Sequence, residues 1–129
     1  MKRVNILDCT LRDGGYLIDS QFGNTAIKGI IQGLTDSGID VVECGFLKDE
    51  PYQAGSTIFN NASQIRPFLP EDHKNVSFVC LADYSRYTIE QLEPYDGTSI
   101  DGVRACFFKE ERYGVIAFCR SIKEKGYKL

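Results

Sequence analysis

The sequence predicts an α/β fold built on a parallel sheet, and three observations lead to that class. Short Val- and Ile-rich runs alternate four times with segments of helical spacing. Glycines and prolines fall at the changes of pattern, where they end helices and start turns. The 129 residues are 43% apolar and 26% charged, a mixture suited to one ordinary globular domain. We read residues 1–129 as a single domain of four βα units plus the start of a fifth strand. Alternation of this kind implies parallel strands joined by right-handed crossovers, with helices covering the sheet. An open doubly wound sheet and part of a (β/α)8 barrel use the same unit, and periodicity alone does not separate them.

The first strand is expected over residues 4–7, followed by a polar, glycine-bearing loop over 8–23 that breaks any regular period. From Asn24, Ile27, Ile30, Ile31 and Leu34 fall at i, i+3, i+4 and i+7, and Gly38 is placed to end that helix. A strand buried on both faces follows over 39–46. Phe59, Ala62 and Ile65 give residues 56–68 a weaker helical spacing, closed by Pro67 and Pro70. A third strand over 76–82 leads to a helical turn around Ile89–Leu92 that Pro94 cuts off. The fourth strand spans 102–108. The fourth helix spans 113–125, with Val115, Phe118, Cys119 and Ile122 on one side and Gly126 after it. Residues 127–129 read as the opening of a fifth strand.

Charge and cysteine usage narrow the function classes. A formal net charge of −3, with Lys and Arg spread among acidic residues, leaves no basic stripe for a phosphate backbone, so nucleic acid is not an expected partner. No apolar stretch has the length of a membrane span and no secretory leader is visible, so no membrane association and a cytoplasmic location are expected. Five cysteines without a C-x-x-C pair fit neither a disulfide framework nor a zinc pattern. They are expected reduced, and those in apolar runs buried as small hydrophobes.

Chemistry concentrates in Asp8-Cys9-Thr10-Leu11-Arg12-Asp13-Gly14-Gly15, at the C-terminal end of the first strand, where active sites of both candidate folds lie. Arg12 offers a planar, permanently charged fork for a carboxylate or a developing enolate. Asp13 offers hard oxygen ligands for a divalent cation. Gly14 and Gly15 are substrate-binding candidates, because a backbone without side-chain bulk turns sharply and lets a small molecule approach. The same residues also make an ordinary solvated turn. Arg104, inside an apolar strand, requires a partner if it points inward and otherwise snorkels past a helix to water. Lys109 opens a charged stretch that reads as a solvated helix start, and His73 lies in an exposed polar connection at the end opposite the active-site face.

The string from Asp8 to Gly15 resembles the D-x-T-L-R-D-G signature of the DRE-TIM metallolyases, the family of 4-hydroxy-2-oxovalerate aldolase, hydroxymethylglutaryl-CoA lyase and isopropylmalate synthase. Val41-Val42-Glu43-Cys44-Gly45-Phe46 is similar to the glutamate-bearing end of that family's second strand. The resemblance implies the N-terminal half of a TIM barrel, with Arg12 catalytic and substrate-binding, Asp13 a metal ligand, and Glu43 orienting Arg12 or a metal-bound water. It implies a metal-dependent aldolase or lyase of 2-oxo acids that uses Mn²⁺ or Mg²⁺. The family completes its metal site with an H-x-H segment, whereas this chain has one histidine, His73. Tyr16 stands where the ketovalerate aldolases carry a base histidine, and is the candidate hydrogen-bond donor to substrate. The fragment is therefore expected to be inactive alone and to form a homo-oligomer through its open half-barrel edge. An acyl-CoA condensing synthase and a non-catalytic assembly module are the alternative functions.

Overall fold

The computed structural model describes residues 3–129. Strand β1 (Leu7–Asp8) leads into a single helical turn α1 (Thr10–Asp13) and a 3-10 turn over Gly14–Leu17. Helix α2 (Asn24–Ser37) precedes strand β2 (Val41–Leu47) and the short strand β3 (Ile58–Phe59). After two 3-10 turns come strand β4 (Ser77–Asp83), a 3-10 turn at Ile89–Gln91, strand β5 (Gly102–Cys106) and helix α3 (Val115–Glu124). The sheet order is β1-β2-β4-β5, every pairing is parallel, and β3 adds to the flank of β2. Lys128 makes a parallel bridge to Gly102, the expected opening of a further strand beside β5. No helix among the described residues is long and apolar enough to cross a membrane.

Helix α2 forms where its apolar spacing places it. Ile27 and Ile31 are fully buried against the sheet, and Gly38 ends the helix with φ 78, a left-handed conformation that glycine adopts without steric cost. Helix α3 buries Val115, Phe118 and Ile122 in the same way. The core between helices and sheet takes Val42, Cys44 and Leu47 from β2, Phe78, Cys80 and Ala82 from β4, and Val103 from β5. Those residues fix which face of each strand meets the helices. The opposite, inner face carries Glu43, Phe46, Val79, Leu81 and Arg104, joined row by row through the registers Glu43↔Val79 and Phe46↔Leu81↔Arg104.

Several expectations are corrected. The predicted helix over 56–68 is instead strand β3 followed by 3-10 turns at Ala62–Gln64 and Arg66–Phe68. Side chains there capture the backbone groups a helix needs. Gln64 Oε1 accepts from Asn60 N at 2.7 Å, Asn61 Oδ1 accepts from Gln64 N at 3.2 Å, and Glu93 Oε2 accepts from Ala62 N at 2.8 Å. The segment over 8–23, expected to be irregular, coils into α1 and its 3-10 extension. His73 is half-buried rather than exposed, its ring edge-on to Phe78 at 4.8 Å. Cys44 and Cys80 are buried as expected, but Cys106 is exposed at the end of β5. All five cysteines are free thiols.

One glycine shapes the sheet. Between Glu43 and Phe46 the pairing with β4 slips by a residue, a bulge that inserts one extra position into β2. Gly45 sits in it with φ 153, and a Cβ there would lie 2.1 Å from the Thr57 carbonyl oxygen. That close approach lets Thr57 O accept from Phe46 N at 2.9 Å. Strand β3 thereby takes the flank of β2 that β1 leaves free above Val42.

Candidate active site

All strands run in one direction, so the sequence after each strand emerges at a common end of the sheet. Strand β1 ends at Asp8, whose carboxylate accepts from Thr10 N at 3.0 Å and from Thr10 Oγ1 at 3.1 Å. These bonds turn the chain from β1 into α1, which carries Arg12 and Asp13 round to the C-terminal end of the sheet. Leu11, between them and the strand, is fully buried and anchors the turn.

Glu43 is the centre of the site. Its side chain has 0% exposure on the inner face of β2, where an unpaired carboxylate would be costly. Arg12 Nε donates to Oε1 at 2.6 Å, and Arg104 Nη1 donates to Oε2 at 2.5 Å. Arg12 Nη1 also donates to Asp13 Oδ1 at 2.9 Å. Burial works against the charge of Arg12, but the hydrogen bond and charge of Glu43, with Asp13 beside them, outweigh it and raise the guanidinium above its ordinary value. The Arg12 side chain is 19% exposed and that of Asp13 63%. The cation is thus fixed from below by Glu43, while the neighbouring acid remains open to solvent.

The sequence candidates divide by this geometry. Arg12, Asp13 and Glu43 come together through direct hydrogen bonds. Tyr16 is exposed and packs edge-on to Phe46 with ring centroids 6.0 Å apart, on the same inner face. Gly14 lines an open hollow of about 310 Å³ with Leu7, Asp8, Cys9, Thr10 and Asp13. Its backbone is helical, φ −64, and a Cβ would meet only ordinary contacts, so the expected sharp turn at this glycine is absent. Gly15 is buried, and a Cβ there would lie 2.9 Å from Ser20 Oγ; it makes room for the chain's own return rather than opening the hollow.

Two side chains at the site lay outside the sequence candidates. Arg104 points inward to Glu43, which settles the two alternatives left open for it. Lys48 follows β2 and is 9% exposed, with Nζ 4.1 Å from the centroid of the Phe46 ring. Lys109 lies in an exposed 3-10 turn, Lys109–Glu111, as expected for a solvated helix start.

The donor set does not by itself fit a divalent metal. No group of three or more His, Cys, Asp or Glu among the described residues could hold one. Asp13 is a lone carboxylate already bonded to Arg12, and a cation held by one protein ligand keeps most of its water shell.

Comparison with solved structures agrees with the architecture. The chain superposes on the "Crystal structure of the N-terminal domain of a putative aldolase from Bacteroides vulgatus" with a TM-score of 0.74 and 21% identity, over 97% of this chain and 42% of that one. The fold is shared. The chain therefore spans less than half the length of the solved protein it resembles. No family model and no curated protein matches the sequence. Placed in a partial barrel, the end of the sheet that carries Arg12, Asp13 and Glu43 is the end where barrels of this kind keep their chemistry.

Proposed function

We propose that this chain supplies the N-terminal half of an aldolase-type carbon–carbon lyase acting on 2-oxo acids. The observation that carries the reading is a guanidinium, Arg12, locked by a buried carboxylate and set beside an exposed acid at the C-terminal end of a parallel sheet. Cleaving a carbon–carbon bond next to a ketone leaves an enolate, and a preorganised cation lowers the cost of that charge as it forms. Glu43 occupies Nε and Asp13 engages Nη1, which leaves Nη2 without a side-chain partner among the described residues. Glu43 does not touch substrate in this reading; it holds the fork in one orientation, sparing the reorganisation a free arginine would need. Tyr16, whose ring packs against Phe46, is the proposed hydroxyl donor to substrate. The aldolase description of the Bacteroides protein and the D-x-T-L-R-D-G resemblance support the same class of chemistry.

Manganese or magnesium belongs to the proposal only for a complete site. Asp13 is the one ligand this chain offers, and the remaining ligands would come from outside these 129 residues. The chain alone is then inactive, and retro-aldol turnover with added Mn²⁺ that disappears in Arg12→Ala would overturn that statement.

Oxalate, a mimic of the pyruvate enolate, is the probe for the reading itself. Calorimetric titration is expected to show binding that weakens about tenfold or more in Arg12→Ala, the loss of a charge-assisted hydrogen bond. Unchanged affinity in that variant contradicts the proposal.

A further inference from the structure

Lys48 is a largely buried lysine whose ammonium has no carboxylate partner among the described residues. Leu47 before it faces the helices, so Lys48 falls on the inner face beside Phe46. Its side chain is nine-tenths buried, its ammonium lies over the Phe46 ring, and no carboxylate among the described residues pairs with it. An aromatic face favours the charged amine, but it offers no hydrogen-bond acceptor of ordinary strength for three N–H donors. Here the nearby acids are taken: Glu43 by Arg12 and Arg104, Asp13 by Arg12, and Asp83, at the end of β4, by Ser85 and Arg86. The inner face above Glu43 thus carries the cations Arg12, Arg104 and Lys48 together with the carboxylates Glu43, Asp13 and Asp83, and each carboxylate has a partner other than Lys48.

We propose that the Lys48 ammonium receives a carboxylate of the substrate distinct from the reacting 2-oxo acid, so that the substrate class is a 2-oxo acid bearing a second carboxylate. The 2-oxo acid part rests on the function proposed above. A carboxylate suits the position better than a phosphate, because one ammonium balances one negative charge and no run of backbone N–H donors accompanies it. The role proposed for Lys48 is to bind an anion, not to attack a carbonyl.

Calorimetry on the full 129-residue chain tests this with 2-oxoglutarate, 2-oxobutanoate and glutarate. The wild type is expected to bind 2-oxoglutarate about tenfold more tightly than 2-oxobutanoate, and Lys48→Met to bring the two within about twofold while leaving 2-oxobutanoate unchanged. Lys48→Arg, which keeps the charge, restores the preference. A merely structural role for Lys48 would weaken both ligands together and overturns the inference, as does equal binding by the wild type. Glutarate binding as tightly as 2-oxoglutarate, and losing that affinity in Lys48→Met, keeps the role of Lys48 and removes the 2-oxo acid reading. Binding of none of the three overturns both. Borohydride trapping of 2-oxobutanoate on Lys48, read by mass, shows a nucleophilic amine and also overturns the inference.

Discussion

Glu43 is the residue on which the site turns, because it is a fully buried charge that two guanidinia compensate. Removing one member of such an arrangement leaves the others uncompensated, and Glu43→Gln is expected to cost about 3 kcal/mol in urea unfolding. Arg104→Gln should cost less, since its half-exposed side chain is screened by water. A second carboxylate gives a pH dependence. Glu93 loses solvation, yet its hydrogen bonds from Ser63 and Ala62 outweigh that and hold its pKa below the ordinary 4.5. A depressed folded pKa means stability that is present above the unfolded value and is lost as pH falls through the folded one. The urea midpoint of the wild type should therefore fall more steeply below pH 4.5 than that of Glu93→Gln; parallel curves would show that these bonds add nothing.

At the scale of elements, the bulge in β2 explains both what the sequence revealed and what it hid. Arg12 and Asp13 were legible because the Asp8–Gly15 string resembles a known signature, and Glu43 because Val41–Phe46 resembles that family's second strand. Lys48 was not, since counting by twos from Glu43 puts Gly45 and Leu47 inward and sends Phe46 and Lys48 toward the helices. The extra residue reverses that phase, and nothing in Cys44-Gly45 announces a bulge to a reader of one sequence. Arg104 was ambiguous for a related reason: Gly102, Val103, Ala105 and Cys106 around it are apolar or small on both faces of the strand. The helix expected over 56–68 failed because Asn60, Asn61 and Gln64 bind backbone locally, a competition that spacing of apolar residues does not register. Gly45→Ala tests the bulge. With a Cβ forced against the Thr57 carbonyl, the variant should lose about 3 kcal/mol, against about 1 kcal/mol for Gly38→Ala at the open end of α2. Equal losses would mean the approach of β3 is not tight.

Across the whole molecule, the fold class was readable from alternation, while the choice between open sheet and partial barrel was not. It came from the signature after β1 and agrees with the likeness to the Bacteroides domain. The sheet leaves β1 as an edge, with Val4, Ile6 and Leu7 exposed, and Phe107 and Phe108 exposed just after β5. Unpaired backbone and apolar side chains at an edge favour pairing with another chain, so we expect a dimer or larger assembly at micromolar concentration. A strictly monomeric species by sedimentation velocity would count against it.

The central claim is that Glu43 holds Arg12 in a fixed orientation at the mouth of the sheet, and Arg12 Nε–H reports on it directly. In ¹⁵N-resolved NMR, a guanidinium Nε–H bonded to a buried carboxylate should give a resolved resonance that exchanges slowly with water, and Glu43→Gln should abolish that protection. An Arg12 Nε–H that exchanges in the wild type as fast as those of exposed arginines would contradict the account.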